Sequence, residues 1–303
     1  MPRRHVLILG GTGFVGRHLV EHLLRERYRI TVLSRGVDPA KKKLLSRDAS
    51  IIEGDIGNPD FLRAVLDDVD AVVNLVGILN EQGDSGAGFE HVYVELLDAL
   101  LEAMCDMGVS RLLQMSALNA GTGHSHYLES RGRAEQRVRA SKLAWTLFRP
   151  SVIAGPGDGL FCRFDALLRY APLLPMGRAN ARFQPVWIGD VTQAFVNALA
   201  DDSHVSRSYN LVGPEVMTLA EIVRATARAR RRLRAVLPLP ESLGKLQAEI
   251  GEWLPGKPIS RDNWRSLQTD STSVENGLLK LGVSPTPVLS HLPEILGLNA
   301  HAG

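Results

Sequence analysis

The sequence predicts an α/β fold, a doubly wound parallel sheet with a smaller C-terminal α-rich lobe, on three observations. A glycine turn, Gly10-Gly11-Thr12-Gly13-Phe14-Val15-Gly16, joins an apolar strand to an amphipathic helix. Apolar runs then alternate with helical patterns as far as Pro150, the rhythm of parallel strands linked by right-handed crossovers. Beyond Pro150 that rhythm breaks up under prolines and glycines.

The first element, His5-Val6-Leu7-Ile8-Leu9, is the continuous apolar run of a strand covered on both faces. In the helix that follows, Val15, Leu19 and Leu23 recur every fourth residue on one face, and Arg17, Glu21 and Arg25 lie on another. Between them, glycines let the backbone turn sharply and approach a pyrophosphate closely. The free N–H groups and positive dipole end of the new helix then hold the negative charge. A glycine turn in that strand-to-helix setting reads as a dinucleotide site.

Ile30-Thr31-Val32-Leu33 is the second strand, ending in Ser34-Arg35. An acidic residue there would bond the 2′-hydroxyl of NAD, whereas an arginine accommodates the 2′-phosphate of NADP. Arg35 therefore predicts NADP(H) as the preferred cofactor, with NAD(H) as the alternative. Lys41, Lys42 and Lys43 add positive charge and read equally well as a solvated loop.

Ser50-Ile51-Ile52-Glu53 is a third strand, leading into Gly54-Asp55-Ile56-Gly57-Asn58-Pro59, and residues 60–67 carry a helical pattern. Ala71-Val72-Val73-Asn74-Leu75-Val76-Gly77 is a fourth strand. The polar, glycine-rich stretch 81–88 is a loop of the kind that covers a ligand. A long helix is expected over about 89–107, with Gly108 as its C-cap. Residues 111–116 form strand five, 127 to about 141 a helix, and 144–148 strand six, stopped by Arg149-Pro150. In such sheets ligands bind beyond the carboxyl ends of the strands. Gly10 to Gly16, Ser34, Arg35, Asp55, Ile56, Asn74, Val76, Gly77, Ser116, Pro150, Ser151 and Val152 are expected to converge there on one crevice.

After Pro150, residues 155–180 are interrupted by Pro156, Pro172 and Pro175. Phe183 to Trp187 reads as a strand, Gly189 to Ala200 as a helix and Ser208 to Val212 as another strand. Thr218 with Glu221 in capping-box spacing opens a helix to about Arg230, and from Leu237 the chain reads mostly as short helices separated by prolines. Residues 1–152 are expected to form the nucleotide-binding domain, with 183–213 returning to it. Residues 153–182 and 214–303 are expected to form a smaller lobe over the crevice.

The 303 residues, 45% hydrophobic and 22% charged, describe an ordinary globular chain of one to two domains. A net charge of +2 gives no argument for a nucleic-acid partner. Cys105 and Cys162 lie far apart, which supports neither a disulfide framework nor a zinc ribbon and fits a reducing cytoplasm. The apolar stretch after Arg3-Arg4 ends at Gly10 and so does not read as a signal peptide. No apolar run approaches the roughly 20 residues that span a bilayer, so any contact, at the inner face of a membrane, is expected to be peripheral.

The glycine motif, Gly54-Asp55-Ile56, Asn74-Leu75-Val76-Gly77, Tyr127 with a basic residue four later, and Arg149-Pro150 resemble, in that order, the extended and atypical branch of the short-chain dehydrogenase/reductase superfamily. Met115-Ser116-Ala117-Leu118-Asn119-Ala120, the run from Arg149 to Asp158, Gln184 to Val191, Arg261-Asp262-Asn263-Trp264 and Thr269-Asp270 look more particularly like the group related to the nucleotide-binding accessory subunit of respiratory complex I. The resemblance covers nearly the whole chain. It implies a Rossmann-type fold and tight NADP(H) binding, with or without turnover. In active relatives a Tyr and a Lys four apart, with a nearby Ser, carry hydride chemistry. Here Tyr127 is followed by Arg131 in the lysine position, and Ser116 opens the strand-five segment while Ala117 and Leu118 stand where the active serine is usual. Tyr127, Arg131 and Ser116 are thus the expected catalytic set, incomplete or rearranged, and cofactor contacts as well.

His18-Leu19-Val20-Glu21-His22 matches a zinc-protease spacing, but it sits on the first helix of a nucleotide fold, and no metal is expected. His124 and His126, in the loop before Tyr127, are within reach of a substrate but read more readily as solvated loop residues. Arg224, Arg228, Arg230, Arg231, Arg232 and Arg234 form the one dense positive cluster, suited to an anionic membrane surface or an acidic respiratory-complex partner, or simply to a solvated helix end. Three functions remain open: an NADPH-dependent reductase of a carbonyl or quinone-like substrate, a non-catalytic NADP(H)-binding assembly or stability factor for a respiratory or quinone-synthesis complex, and a nucleotide-sugar epimerase or dehydratase.

Overall fold

The computed structural model describes residues 4–36, 44–253 and 259–298, so Lys41 to Lys43 lie outside the described residues. A seven-stranded, all-parallel sheet forms its centre. In sheet order the strands are β3 (Ser50–Glu53), β2 (Arg29–Ser34), β1 (His5–Leu9), β4 (Ala71–Asn74), β5 (Arg111–Met115), β6 (Ala144–Pro150) and β11 (Arg207–Leu211). The order reverses between β1 and β4, the switch point at which such sheets open a crevice. Alternation along β1 explains the two layers. Val6 and Ile8 pack with Leu19 and Leu23 of α1 (Phe14–Arg25) and with Phe195 of α7 (Ile188–Ala200). Leu7 and Leu9 pack on the other face with Leu62 of α2 (Pro59–Val65), Phe89 of α3 (Ala87–Glu90), Leu100 of α4 (Leu96–Asp106) and Val138 of α5 (His126–Ala140).

Several elements depart from the sequence expectation. The helix expected over 89–107 is interrupted by a π-helical turn, His91–Glu95, between α3 and α4. The fourth strand stops at Asn74, because its side-chain oxygen accepts from the Val76 N–H at 3.1 Å and closes a turn. The strand expected over 183–187 is two short ones, β9 (Arg182–Phe183), paired with β12 (Met217–Thr218), and β10 (Val186–Trp187), paired with β7 (Ile153–Ala154), divided where Pro185 has no N–H to donate. Within 155–180, where no regular element was expected, the chain forms α6 (Phe161–Leu168) and β8 (Leu173–Met176). The buried carboxylate of Asp158 caps α6, accepting from the N–H groups of Leu160 and Cys162.

The remaining part of the chain completes a second core. Thr218 and Glu221 form a reciprocal capping box at the start of α8 (Leu219–Ala229). Its buried face, Ile222 and Val223, meets Phe161 and Leu168 of α6. β8 pairs in parallel with β13 (Ala235–Pro238), which leads into α9 (Glu241–Trp253) and α10 (Arg261–Ser266). α7 packs on α1, and β11 pairs with β6, so residues 188–211 sit with the main sheet.

Candidate dinucleotide site

The glycine turn has the close approaches that require glycine. Gly10 has φ +76°, and a Cβ there would stand 3.0 Å from the Leu75 carbonyl group. A Cβ on Gly11 would meet the Val32 side chain at 2.8 Å, and one on Gly16 the Gly10 oxygen at 2.4 Å. The turn is closed by Gly13 N–H to the Gly10 oxygen, 3.0 Å. No side chain caps α1 at Gly13 and no acidic residue occupies its first turn, so its free N–H groups and positive dipole end face the exposed Gly13. Backbone and charge fit a dinucleotide pyrophosphate.

The other predicted contacts stand around this cradle at the carboxyl ends of the strands. Ser34 is half-buried and Arg35 exposed at the end of β2. Asp55 caps the turn after β3, accepting from Gly57 N–H at 2.9 Å. The Ile56 side chain is buried in the core with Leu9 and Leu33, which leaves its backbone to meet a ligand. Asn74 is held by Gln114 at 2.9 Å, and exposed Gly77 lies against Arg131 and Tyr93. Val76 packs against the core, and Thr12 and Val15 are half-buried on the cradle. Phe14 faces the loop at Gly155, where a Cβ would meet its ring at 3.3 Å. The Pro150 oxygen accepts from Leu118 N–H and the Val152 oxygen from Val186 N–H, while the Ser151 hydroxyl is fixed to Ser271.

Tyr127 and Arg131 come together, with Tyr93 of the π-helical turn as a third member. The Arg131 guanidinium lies 3.9 Å from the Tyr93 ring centre and 5.5 Å from that of Tyr127. It donates to the Met115 carbonyl at 2.9 Å, and its buried Nε has no partner among the described residues. The Tyr93 hydroxyl accepts from Ile78 N–H at 2.8 Å and donates to the Ile78 oxygen. Burial pushes the Tyr93 phenol up to about 12, against the opposing pull of Arg131. Tyr93 is therefore a neutral wall for the cation and not a proton donor of ordinary strength.

Ser116 is built into a different cluster. Its hydroxyl donates to buried Glu135 at 2.7 Å, and the same carboxylate accepts from Arg149 Nε at 2.7 Å and from Arg139 at 3.2 Å. This network joins α5 to the ends of β5 and β6. The serine that opens the strand-five segment thus positions the helix that carries Tyr127.

Residues distant in sequence complete the site: the segment Arg261 to Trp264 is marked by the family resemblance, but its contact with the tyrosine-bearing helix has no local signal. Asp262 of α10 accepts from the N–H groups of His126 and Tyr127 at 2.8 and 3.2 Å, holding the first turn of α5. Arg265 joins Asp262 to Asp84 of the loop before α3, and Asn263 donates to the Leu79 oxygen at 3.3 Å. α10 thereby ties the glycine-rich loop to the tyrosine-bearing helix. His18 reaches the Pro156 oxygen at 3.3 Å and His22 the Thr192 hydroxyl at 3.0 Å, so each has a structural partner. Exposed His124 lies in the loop before α5, and His126 in its first turn.

The arginine cluster does not act as one surface. Arg230 forms a two-pronged pair with buried Asp165 of α6 and also donates to the Leu296 oxygen. Arg232 donates to Asp165, and Arg234 to the Leu168 oxygen. These three fasten α8 and β13 to α6, whereas Arg224, Arg228 and Arg231 are exposed. No helix among the described residues is long and apolar enough to cross a membrane.

Residues 10–160 match the family model described as NAD(P)H-binding. The chain is 28% identical to the mitochondrial NADH dehydrogenase [ubiquinone] 1 alpha subcomplex subunit 9 of Arabidopsis thaliana, over 89% of this chain and 71% of that protein. It is 26% identical to an NAD(P)H azoreductase of Xenophilus azovorans, over 81% and 85% of the two chains. The crystal structure of a Thermus thermophilus UDP-glucose 4-epimerase in complex with NAD superposes with a TM-score of 0.79 at 20% identity, covering 99% of this chain and 100% of that one.

Proposed function

The chain is an atypical short-chain dehydrogenase/reductase related to the nucleotide-binding accessory subunit of respiratory complex I, and from that premise we propose that it holds NADP(H) tightly while turning over carbonyl substrates slowly or not at all. The observation that carries this reading is the buried Arg131 guanidinium between Tyr93 and Tyr127. A bound dinucleotide supplies hydride at such a site. The protein's part is to position the substrate oxygen and deliver a proton to it. Giving up that proton leaves a phenolate, and a phenol of ordinary pKa, about 10, is a weak donor, so a neighbouring cation must stabilise the anion left behind. Arg131 supplies the positive charge, but a guanidinium does not release a proton near neutral pH and cannot serve as a relay.

Gly10, Gly11, Gly13 and Gly16 would hold the pyrophosphate, with Arg35 on the 2′-phosphate of NADP. Asp55, Ile56, Asn74, Val76 and Gly77 would line the adenosine side, and Tyr127, Arg131, Pro150, Ser151 and Val152 the nicotinamide side. In this reading the protein serves as a nucleotide-loaded assembly or stability factor, in keeping with the respiratory-chain subunit it resembles. Working reduction of a carbonyl or quinone-like substrate is the second reading, favoured by the likeness to an NAD(P)H azoreductase. The epimerase likeness is one of fold.

Wild type, Arg131→Lys and Tyr127→Phe distinguish the first two readings in NADPH-oxidation assays with quinones and small aldehydes. The expected result is near-background turnover by wild type with nucleotide bound in all three proteins. Brisk wild-type turnover abolished by Tyr127→Phe would establish the reductase instead.

A further inference from the structure

α9 carries its large apolar residues on the outside. At about 100° per residue, Leu243, Leu246, Ile250 and Trp253 share one stripe, and Gly244, Ala248 and Gly251 share another about two-fifths of a turn away. The small residues are buried and the large ones exposed, Ile250 to 55% and Trp253 to 84%. Lys245, Glu249 and Glu252 occupy the remaining face. This inverts the usual arrangement, in which a helix turns its bulky apolar stripe to the core.

The neighbouring ribbon extends the stripe. Leu174, Met176 and Val236 pack in the core, so the alternation of β8 and β13 turns Leu173, Pro175, Ala235 and Leu237 outward, and all four are exposed. Gln247 of α9 donates to the Pro175 oxygen at 2.8 Å and accepts from Gly177 N–H at 2.9 Å, fixing the helix along the free edge of β8. Gln247 lies between the buried seam of α9 and its apolar stripe. The stripe therefore continues the outer face of the ribbon.

One end of this face is cationic. The tight turn from α8 into β13 places Arg231 at φ +54° and holds Leu233 at 95% exposure. Arg230 and Arg232 pin the turn from below through Asp165. Arg169, Arg228 and Arg231 are exposed beside exposed Tyr170 and Leu233 and form no ion pair among the described residues.

We propose that the outer face of α9 and the β8–β13 ribbon docks on an anionic lipid bilayer, with Trp253, Ile250 and Leu233 entering the interface and Arg169, Arg228 and Arg231 meeting headgroup phosphates. Exposed apolar side chains next to unpaired arginines, with aromatic residues at the edges, are the chemistry of an interfacial surface. Charge complementarity selects the bilayer over a second copy of this face. Arg169, Arg228 and Arg231 have no ion-pair partner among the described residues, and Glu241 of α9 is already taken by Arg178, so an anionic surface supplies the counter-charge that the three arginines lack.

The test is flotation of the full chain with vesicles of phosphatidylcholine alone or with about 30% phosphatidylserine. Wild type is expected to float with the anionic vesicles and to be released by salt. Leu246→Ser/Ile250→Ser/Trp253→Ser should weaken flotation about tenfold or more, and Arg228→Ala/Arg231→Ala should remove the preference for anionic lipid. Both variants should keep the wild-type melting temperature and nucleotide binding, since these side chains are exposed. Failure of wild type to float, or flotation of the folded triple variant like wild type, would overturn the proposal. So would a concentration-dependent dimer in sedimentation that the triple variant abolishes, because the face would then belong to a second copy.

Discussion

At the scale of single residues, the site turns on two arginines with opposite surroundings. Arg131 is buried against two phenols, whereas Arg35 is exposed at the end of β2. In the proposed reading Arg35 meets the solvated 2′-phosphate of NADP from this exposed position. A charge-assisted hydrogen bond is worth about 1.5 to 3 kcal/mol, which at this exposure gives an expected preference for NADP(H) over NAD(H) of roughly tenfold to a hundredfold. Calorimetric titration with both nucleotides checks it, and Arg35→Asp should abolish or reverse the preference. Equal affinities in wild type would remove Arg35 from the argument. Both arginines were legible in the sequence because each falls at a fixed offset in a local motif. Glu135 and Tyr93 were not. Glu135 meets Ser116 and Arg149 only after a helix and two strands have folded, and Tyr93 is brought over Arg131 by a π-helical turn that the apolar periodicity of residues 89–107 does not announce.

At the scale of elements, the least legible feature is the hold that α10 has on the beginning of α5. Asp262 is buried and accepts two first-turn N–H groups, doing from another helix what an N-cap side chain does locally, beside the true cap Ser125. Asp262→Ala should therefore cost about 1 to 3 kcal/mol, a lost cap combined with donors left unsatisfied in a buried setting. Asp262→Asn, which keeps an acceptor, should cost less. Denaturant unfolding of the three proteins measures this, and an alanine variant as stable as wild type would contradict the assigned role. The same scale explains the arginine cluster. Sequence shows six positive charges on and after one helix, but only the folded chain brings buried Asp165 beneath Arg230 and Arg232 and divides the cluster into struts and free cations. α6 and β8 were hidden for a related reason. Prolines at 156, 172 and 175 read as breaks, yet they flank or edge these short elements without interrupting α6.

At the scale of the whole molecule, the parallel sheet and the switch point in its strand order were the most legible part. Doubly covered parallel strands write themselves as apolar runs, and the glycine turn fixes where the order reverses. The second core was legible mainly at the capping box of α8, because its other contacts join residues separated by long stretches of chain. The central claim is that this architecture is a nucleotide holder selective for NADP(H). Native mass spectrometry of freshly purified protein tests it most directly. The account predicts a bound mass of one NADP or NADPH per chain, retained through purification. A chain that carries no dinucleotide and gains none when NADPH is supplied in excess, or that carries NAD in its place, would contradict it.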